Sequence, residues 1–316
     1  MIKLIVYTDG KPDAVRALHF AAEFKKRLNA ELSVITVRSS THAAEEPPPV
    51  GAKLTADQLA ELRHGGLRTL LDAASVLVDE GVLAPIDSIQ IRDIPRGHVF
   101  VCNGAADDRI VFYECFGPFV EAINKEVDEH GYGLLIAALP RRGRLVRLMI
   151  GSTARKLALD LHTSLLVVRG GGPDHRFLVC ADGSPSSQRQ FPMLQQLLPA
   201  IRQPIDILCL SSPDMPPQKI KDAEACMQRA RDWLTVRRKL GLVALRESHN
   251  RSETILEIAG ENAVIMMGSS LRHDVYRRIR GSLPLRILES TPSSVLLVKR
   301  VPEGDPDFMT APYSCG

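Results

Sequence analysis

Short apolar runs alternate with amphipathic stretches along this chain in a strand, helix, strand rhythm. Residues 3–7 read as a buried strand, and between 14 and 28 Ala14, Leu18, Ala21 and Leu28 recur near helical spacing before 32–37 returns to a strand. That succession predicts a right-handed crossover and a parallel sheet. Thr55 with Gln58 three residues on is a capping-box pattern, predicting a long helix toward Val78 whose middle Gly65-Gly66 would weaken. Residues 86–91 alternate as a strand does. Residues 97–116 hold two apolar runs around an Asn-Gly turn, which predicts an inserted β-hairpin. A helix over 117–130 and a strand over 134–139 follow.

The pattern then starts again. Strands are expected at 178–181, 207–210, 242–245, 264–267 and 295–298, with helices at 220–240 around Trp233 and at 253–259. LIVYTDGKP (4–12) and FLVCADGSP (177–185) share an apolar run ending in Asp-Gly-x-Pro, and GSTARKLALDLHTSLLVVR (151–169) parallels GSLPLRILESTPSSVLLVK (281–299). The two halves begin and end alike, and the first carries extra residues between these landmarks. Glycines and a proline at 170–174 read as the linker, the Pro47-Pro48-Pro49 stretch within 39–50 as a loop, and the chain from Pro302 as a frayed tail.

Composition narrows the function classes. With 316 residues, 45% apolar and 24% charged, the chain is long enough for two ordinary domains. A formal charge of +3 gives no reason to invoke nucleic acid or an acidic membrane. The six cysteines form no CxxC pair and two of them sit in apolar strand-like runs, which suits reduced thiols in a cytoplasmic protein. The apolar run at the start ends at Asp9, too short for a signal peptide, and no run approaches the ~20 residues of a membrane helix.

The candidate chemistry gathers where strands end. Residues 264–283, VIMMGSSLRHDVYRRIRGSL, read as strand, arginine-rich loop and helix start, an arrangement that offers glycine backbone and unpaired helix N–H groups to an anion such as phosphate. Asp9 and Asp182 end the first strand of each half, where a carboxylate can accept hydrogen bonds from ribose hydroxyls or a base amine. Asp-Gly-x-Pro is equally good turn chemistry without a ligand, and Gly151-Ser152 and Gly281-Ser282 are equally good helix caps. The arginines at 141, 142, 144 and 147, and at 272, 277, 278 and 280, recur beside the same loop in both halves and could neutralise phosphates. HExxH, GxSxG and Walker patterns are missing, and the nine histidines are scattered, read as surface or helix-end residues and not as ligands.

The spacing of Gly268, two residues, Leu271, nine residues and Gly281-Ser282 resembles the nucleotide loop of the universal stress protein family, with Arg272 matching the arginine that commonly follows the middle glycine. The resemblance extends over nearly the whole chain and implies a tandem protein. It would comprise two doubly wound α/β domains, each a five-stranded parallel sheet in Rossmann-like order 3-2-1-4-5 flanked by helices. Residues 1–170 would form the first, with the hairpin about 97–116 as an insertion, 171–174 the linker, 175–301 the second and 302–316 the tail. It further implies a stress-response regulator that binds ATP or AMP, with or without Mg, chiefly in the second domain, and needs no cofactor to fold. Carried over residue by residue, Asp182, Leu210, Met267, Gly268, Gly281 and Ser282 would form that site, with Leu271 standing where the family has glycine. In the first domain Asp9, Val37, Gly151 and Ser152 align, while Ala138 and Arg141 replace two glycines and mark that site as degenerate. The last strands, 165–168 and 295–298, would pair within one chain as a pseudo-dimer, a homodimer of chains is plausible, and a protein partner that the sequence does not name would read the ligand state. No metal site is expected and no general base is visible, so turnover would be at most slow ATP hydrolysis. Two rivals stand beside this reading: an interaction module without nucleotide, supported by Leu271, Ala138 and Arg141, and an ATP-dependent transferase or hydrolase on the related scaffold.

Overall fold

The computed structural model describes residues 1–39, 50–138, 152–170, 175–269 and 282–299. The loop at 40–49, the linker at 171–174, the loop arginines in both halves and the tail lie outside these residues. Two compact units are present, Met1–Pro140 with Leu159–Thr163, and Arg141–Ala158 with Ser164–Gly316.

In the first unit, β1 (Lys3–Tyr7), α1 (Ala14–Leu28) and β2 (Glu31–Arg38) form the expected crossover, β1 and β2 pairing in parallel from Lys3↔Glu31 to Tyr7↔Ile35. Asn29 at φ 49° stops α1 in the left-handed conformation, which asparagine adopts more readily than most residues. Asp9, two residues past Tyr7, therefore stands level with Val37.

The stretch after β2 departs from expectation. The capping box at Thr55 forms, but the long helix divides into α2 (Ala56–Glu61) and α3 (Gly65–Asp79), because Leu62 turns extended at ψ 120°. Gly65-Gly66 thus open the second helix instead of weakening the middle of one. The run read as a strand at 86–91 contributes only β4 (Ser88–Gln90), which pairs with β3 (Lys53–Thr55) in a separate two-stranded sheet.

The predicted hairpin is present as β6 (Gly97–Asn103) and β7 (Arg109–Phe116), but it is not an insertion beside the sheet. β7 pairs in parallel with β2 from Ser33↔Val111 to Arg38↔Phe116, so it is the third strand of the doubly wound order. With β8 (Leu134–Ala138) on the other side of β1 and β5 (Arg92–Ile94) outside β6, the unit reads β8-β1-β2-β7-β6-β5. Three alternating residues could not outweigh the apolar run IVFYEC, which is buried from both sides. Lys25 of α1, itself buried, donates to the Ala30 carbonyl at 3.2 Å and ion-pairs with Asp108, tying the hairpin loop to the core.

α4 (Phe119–His130) buries Ala122, Ile123 and Val127 and, less expectedly, Glu126, whose carboxylate lies 3.9 Å from the Cys115 thiol and 3.4 Å from His130 Nε2. Burial holds the Glu126 carboxyl above the ordinary carboxylate range, opposed by His130 and helped by Glu129. A raised carboxyl pKa favours the native state below the unfolded value, and that advantage is lost as pH rises through the native one. Glu126→Gln should therefore gain roughly 1 kcal/mol at pH 7 and almost nothing near pH 4. Urea unfolding at the two pH values checks this; equal gains at both would remove burial as the cause.

The second unit repeats the plan without the hairpin. β10 (Arg176–Cys180), β11 (Ile205–Ser211), β12 (Leu240–Glu247), β13 (Ala263–Gly268) and β14 (Ser294–Val298) run parallel in the order β12-β11-β10-β13-β14, which is the expected 3-2-1-4-5. α6 (Pro185–Gln188) and α7 (Gln190–Leu197) follow β10, where the sequence reading placed no helix. α8 (Pro217–Val236), α9 (Arg251–Ala259) and α10 (Leu283–Ser290) supply the remaining connections. β9 (Ser164–Val168), counted in the sequence as the end of the first half, groups with this unit because it pairs antiparallel with β14, Val167↔Val295 to Leu165↔Leu297. α5 (Ser152–Asp160) leads into it.

Cys102, Cys115, Cys180, Cys209 and Cys226 are free thiols. Burial pushes Cys102, Cys115, Cys180 and Cys209 up to about 12, so they pack as small apolar groups and carry no thiolate at neutral pH. Among the described residues no helix is long and apolar enough to cross a membrane.

Candidate functional site

Parallel register brings most of the second-half candidates to one edge. Cys180 lies opposite Leu208 on β11 and Met267 on β13, and Ala181 N donates to the Leu208 carbonyl at 2.9 Å, so the pairing continues past the end of β10. Asp182 thus stands level with Leu210, while Met267 and Gly268 end the strand on the other side. This is the carboxyl edge of the sheet, where parallel α/β folds place their ligands.

The turn at Asp182 is built by its own sequence. Asp182 Oδ1 accepts from Ser184 N at 3.0 Å and Ser184 Oγ at 2.6 Å, and Asp182 N donates to Ser187 Oγ at 3.0 Å. Ser184 also caps α6 by accepting from Ser187 N at 3.2 Å, with Pro185 at the first helical position. Gly183 has φ +74°, and a β-carbon there would meet the Asp222 backbone of α8 at 2.7 Å, so both conformation and space require glycine. The turn chemistry that competes with a ligand role is therefore real. It uses one carboxylate oxygen: Oδ2 of the exposed Asp182 accepts no hydrogen bond from the described residues and is open to a hydroxyl or amine donor.

Asp9 in the first unit differs at that point. Its Oδ1 accepts from Lys11 N at 3.1 Å and its Oδ2 pairs with Lys11 Nζ at 2.6 Å, so both oxygens are engaged. Lys11 stands where the second half has Ser184. Val37 is half-buried on β2, and Ala138 ends β8. Ser152 opens α5, which groups with the second unit as far as Ala158, so the described residues of the first unit bring only Asp9 and Val37 together.

Leu210 and Met267 are 6% and 4% exposed, so they form the floor of the edge and present little of themselves to a base. Gly268 has a structural reason of its own. A β-carbon there would lie 1.9 Å from the Ser186 carbonyl oxygen and 2.4 Å from its carbon, because the backbone of α6 rests directly on the end of β13. Ser282 begins α10 in an extended conformation, φ −68° and ψ 140°, and its side chain makes no cap hydrogen bond. That hydroxyl has no hydrogen-bond partner among the described residues, and Pro284 removes one N–H from the first turn. Gly281, Gly151, Leu271 and Arg141 lie outside the described residues.

Sequence reasoning missed one cluster. His64 and His98, two of the scattered histidines, meet Glu114 in the first unit with ligand atoms within 4.8 Å of one another. His98 and Glu114 are direct partners across β6 and β7, a signal that becomes visible once the hairpin register is known.

The sequence profile of the universal stress protein family matches residues 1–169, more than half of the chain. The chain belongs to the universal stress protein family. Residues 176–298, beyond that match, form strands in the 3-2-1-4-5 order. Among solved structures, a universal stress protein from Archaeoglobus fulgidus DSM 4304 superposes with a TM-score of 0.63 at 18% identity, covering 94% of this chain and 98% of its own. A functionally unknown protein from Pseudomonas aeruginosa PAO1 gives 0.58 at 13% identity, covering 94% and 92%. At these identities the likeness is one of fold. A universal stress protein from Archaeoglobus fulgidus in complex with dAMP aligns over 53% of this chain and 97% of its own at 19% identity and a TM-score of 0.28, too low to say anything further of this stress protein. No curated protein matches the chain in sequence.

Proposed function

We propose that this tandem universal stress protein binds an adenine nucleotide, ATP or AMP, at the carboxyl edge of the second-unit sheet and acts as a cytoplasmic stress-response adaptor. The observation that carries the reading is the open Oδ2 of Asp182, level with Leu210 at the end of two neighbouring parallel strands. Asp182 would accept hydrogen bonds from ribose hydroxyls or a base amine, Leu210 and Met267 would support the apolar face of the base, and the uncommitted Ser282 hydroxyl with the first N–H of α10 would face phosphate oxygens. The family membership supports the same assignment. The first-unit site, with Asp9 held by Lys11 through both oxygens, is assigned no ligand. Binding would alter association with a protein partner; no described residue of the site provides a base for fast hydrolysis.

Calorimetric titration of Mg-ATP, then AMP, into ligand-free wild type and Asp182→Ala tests this. Micromolar binding to wild type, weakened about tenfold or more in the variant, is expected for a hydrogen bond to a charged acceptor. Absence of heat with either nucleotide overturns the reading and favours the interaction module. That rival draws on the wholly structural use of Gly268 against α6.

A further inference from the structure

We propose that the first unit carries a divalent metal site of its own, with His64, His98 and Glu114 as ligands and zinc as the ion that fits them best. It is separate from the nucleotide edge and does not depend on nucleotide binding.

Glu114 is fully buried on β7, yet no hydrogen bond among the described residues reaches its Oε1. Its Oε2 lies 2.9 Å from His98 Nδ1, and its Oε1 lies 3.4 Å from Nδ1 of His64, a residue only 7% exposed. The two imidazole rings are perpendicular, at 89°, with centroids 5.6 Å apart, so both nitrogens converge on the carboxylate from different directions. A tetrahedral ion with bonds of about 2.0–2.1 Å separates its ligand atoms by roughly 3.3 Å. The two histidine–carboxylate distances, 2.9 and 3.4 Å, lie on either side of that span.

Local sequence explains the convergence. The antiparallel register puts His98 directly opposite Glu114, on one face of the hairpin. The break after α2 brings His64 to the start of α3, where its side chain makes no cap hydrogen bond. Gly66 keeps the space clear: a β-carbon there would lie 1.7 Å from Glu114 Oε1. Gly66 is thus a requirement of this carboxylate.

The other imidazole nitrogen of His98 faces Asp93 Oδ1 at 3.6 Å. With an ion on Nδ1, the proton would sit on Nε2, on the side of the Asp93 carboxylate. Without an ion, an imidazole protonated on Nδ1 donates to Glu114 Oε2 at 2.9 Å, and a divalent ion would take the place of that proton. Arg38, with Nη1 3.5 Å from Oε1, is positioned to hold that oxygen when an ion takes Oε2. Two imidazoles and one carboxylate are the donor set of borderline first-row ions, and three protein ligands leave a fourth position for water or another ligand.

The test uses the full chain, stripped with chelator. Titration with Zn2+ against a chromophoric chelator should show one tight equivalent, and Co2+ should give the intense visible bands of a tetrahedral N/O site. His64→Ala and His98→Ala should each weaken the tight equivalent at least tenfold and abolish the cobalt bands, while His19→Ala, at an exposed position, leaves both intact. Absence of a tight equivalent in wild type, octahedral cobalt spectra, or tight binding that survives both buried-histidine changes would overturn the site. The wild-type cobalt spectrum is decisive even where a variant fails to fold.

Discussion

Replacing Gly268 by alanine is expected to destabilise the second unit by about 3 kcal/mol in the complete absence of nucleotide. The new β-carbon would sit 1.9 Å from the Ser186 carbonyl oxygen, 2.4 Å from its carbon and 2.9 Å from Ser187 N. All three are backbone atoms, so no side chain can rotate away and α6 must lift off the end of β13 by more than an ångström. That displacement also pulls on Ser184 and Ser187, which together hold Asp182 in its turn. Stability and ligand affinity should consequently fall together, and a Gly268→Ser variant should do no better. The measurement is urea unfolding of ligand-free wild type and variant. A difference under about 0.5 kcal/mol would mean that α6 slides freely and that the glycine is kept for phosphate alone.

This prediction turns on a point that sequence could not separate. A glycine ending a buried strand before a nucleotide-type loop reads the same whether a ligand or a helix approaches its backbone. The fold itself was largely legible, because strand burial and helix periodicity are local: α1 matches the apolar spacing from Ala14 to Leu28, and the second sheet follows from its five apolar runs. The third strand of the first sheet was not legible. Residues 86–91 alternate convincingly, but parallel pairing is decided by what reaches β2, and IVFYEC on β7 has more apolar surface to bury there. The extra residues of the first half are therefore its β3 to β6 region upstream of the third strand, and the hairpin that looked added supplies a core strand. For the same reason His64 and His98 looked scattered, and Glu114 drew no notice. Their proximity depends on the register of β6 on β7 and on a helix break, neither of which local periodicity encodes. Asp182 lay in between: both its turn role and its open oxygen were foreseeable, and only the geometry apportions one oxygen to each.

The second large effect is expected at Arg169, just past β9. Arg169 is buried; its Nη1 donates to the Thr291 carbonyl at 2.5 Å, its Nη2 donates to the Leu288 carbonyl, and its backbone N donates to Ser294 Oγ at 3.1 Å. Leu288 and Thr291 close the carboxyl end of α10, where carbonyls lack helical partners and the helix dipole favours a cation. Burial lowers the guanidinium to about 10, which still leaves it charged at neutral pH. Arg169→Met retains much of the apolar stem but strands two buried carbonyls, and a loss of about 3 kcal/mol is expected from those charge-assisted bonds. Arg169→Lys should recover only part, since one ammonium cannot reproduce the planar fork that reaches two carbonyls at once. Urea unfolding, with amide exchange followed on α10, distinguishes the cases. Methionine and lysine variants within about 0.5 kcal/mol of wild type would show that the α10 carbonyls find other donors. A graded loss with accelerated exchange confined to α10 would show that the residue following the first half's last strand caps a helix of the second unit, making β9 and its flank integral to that unit's stability.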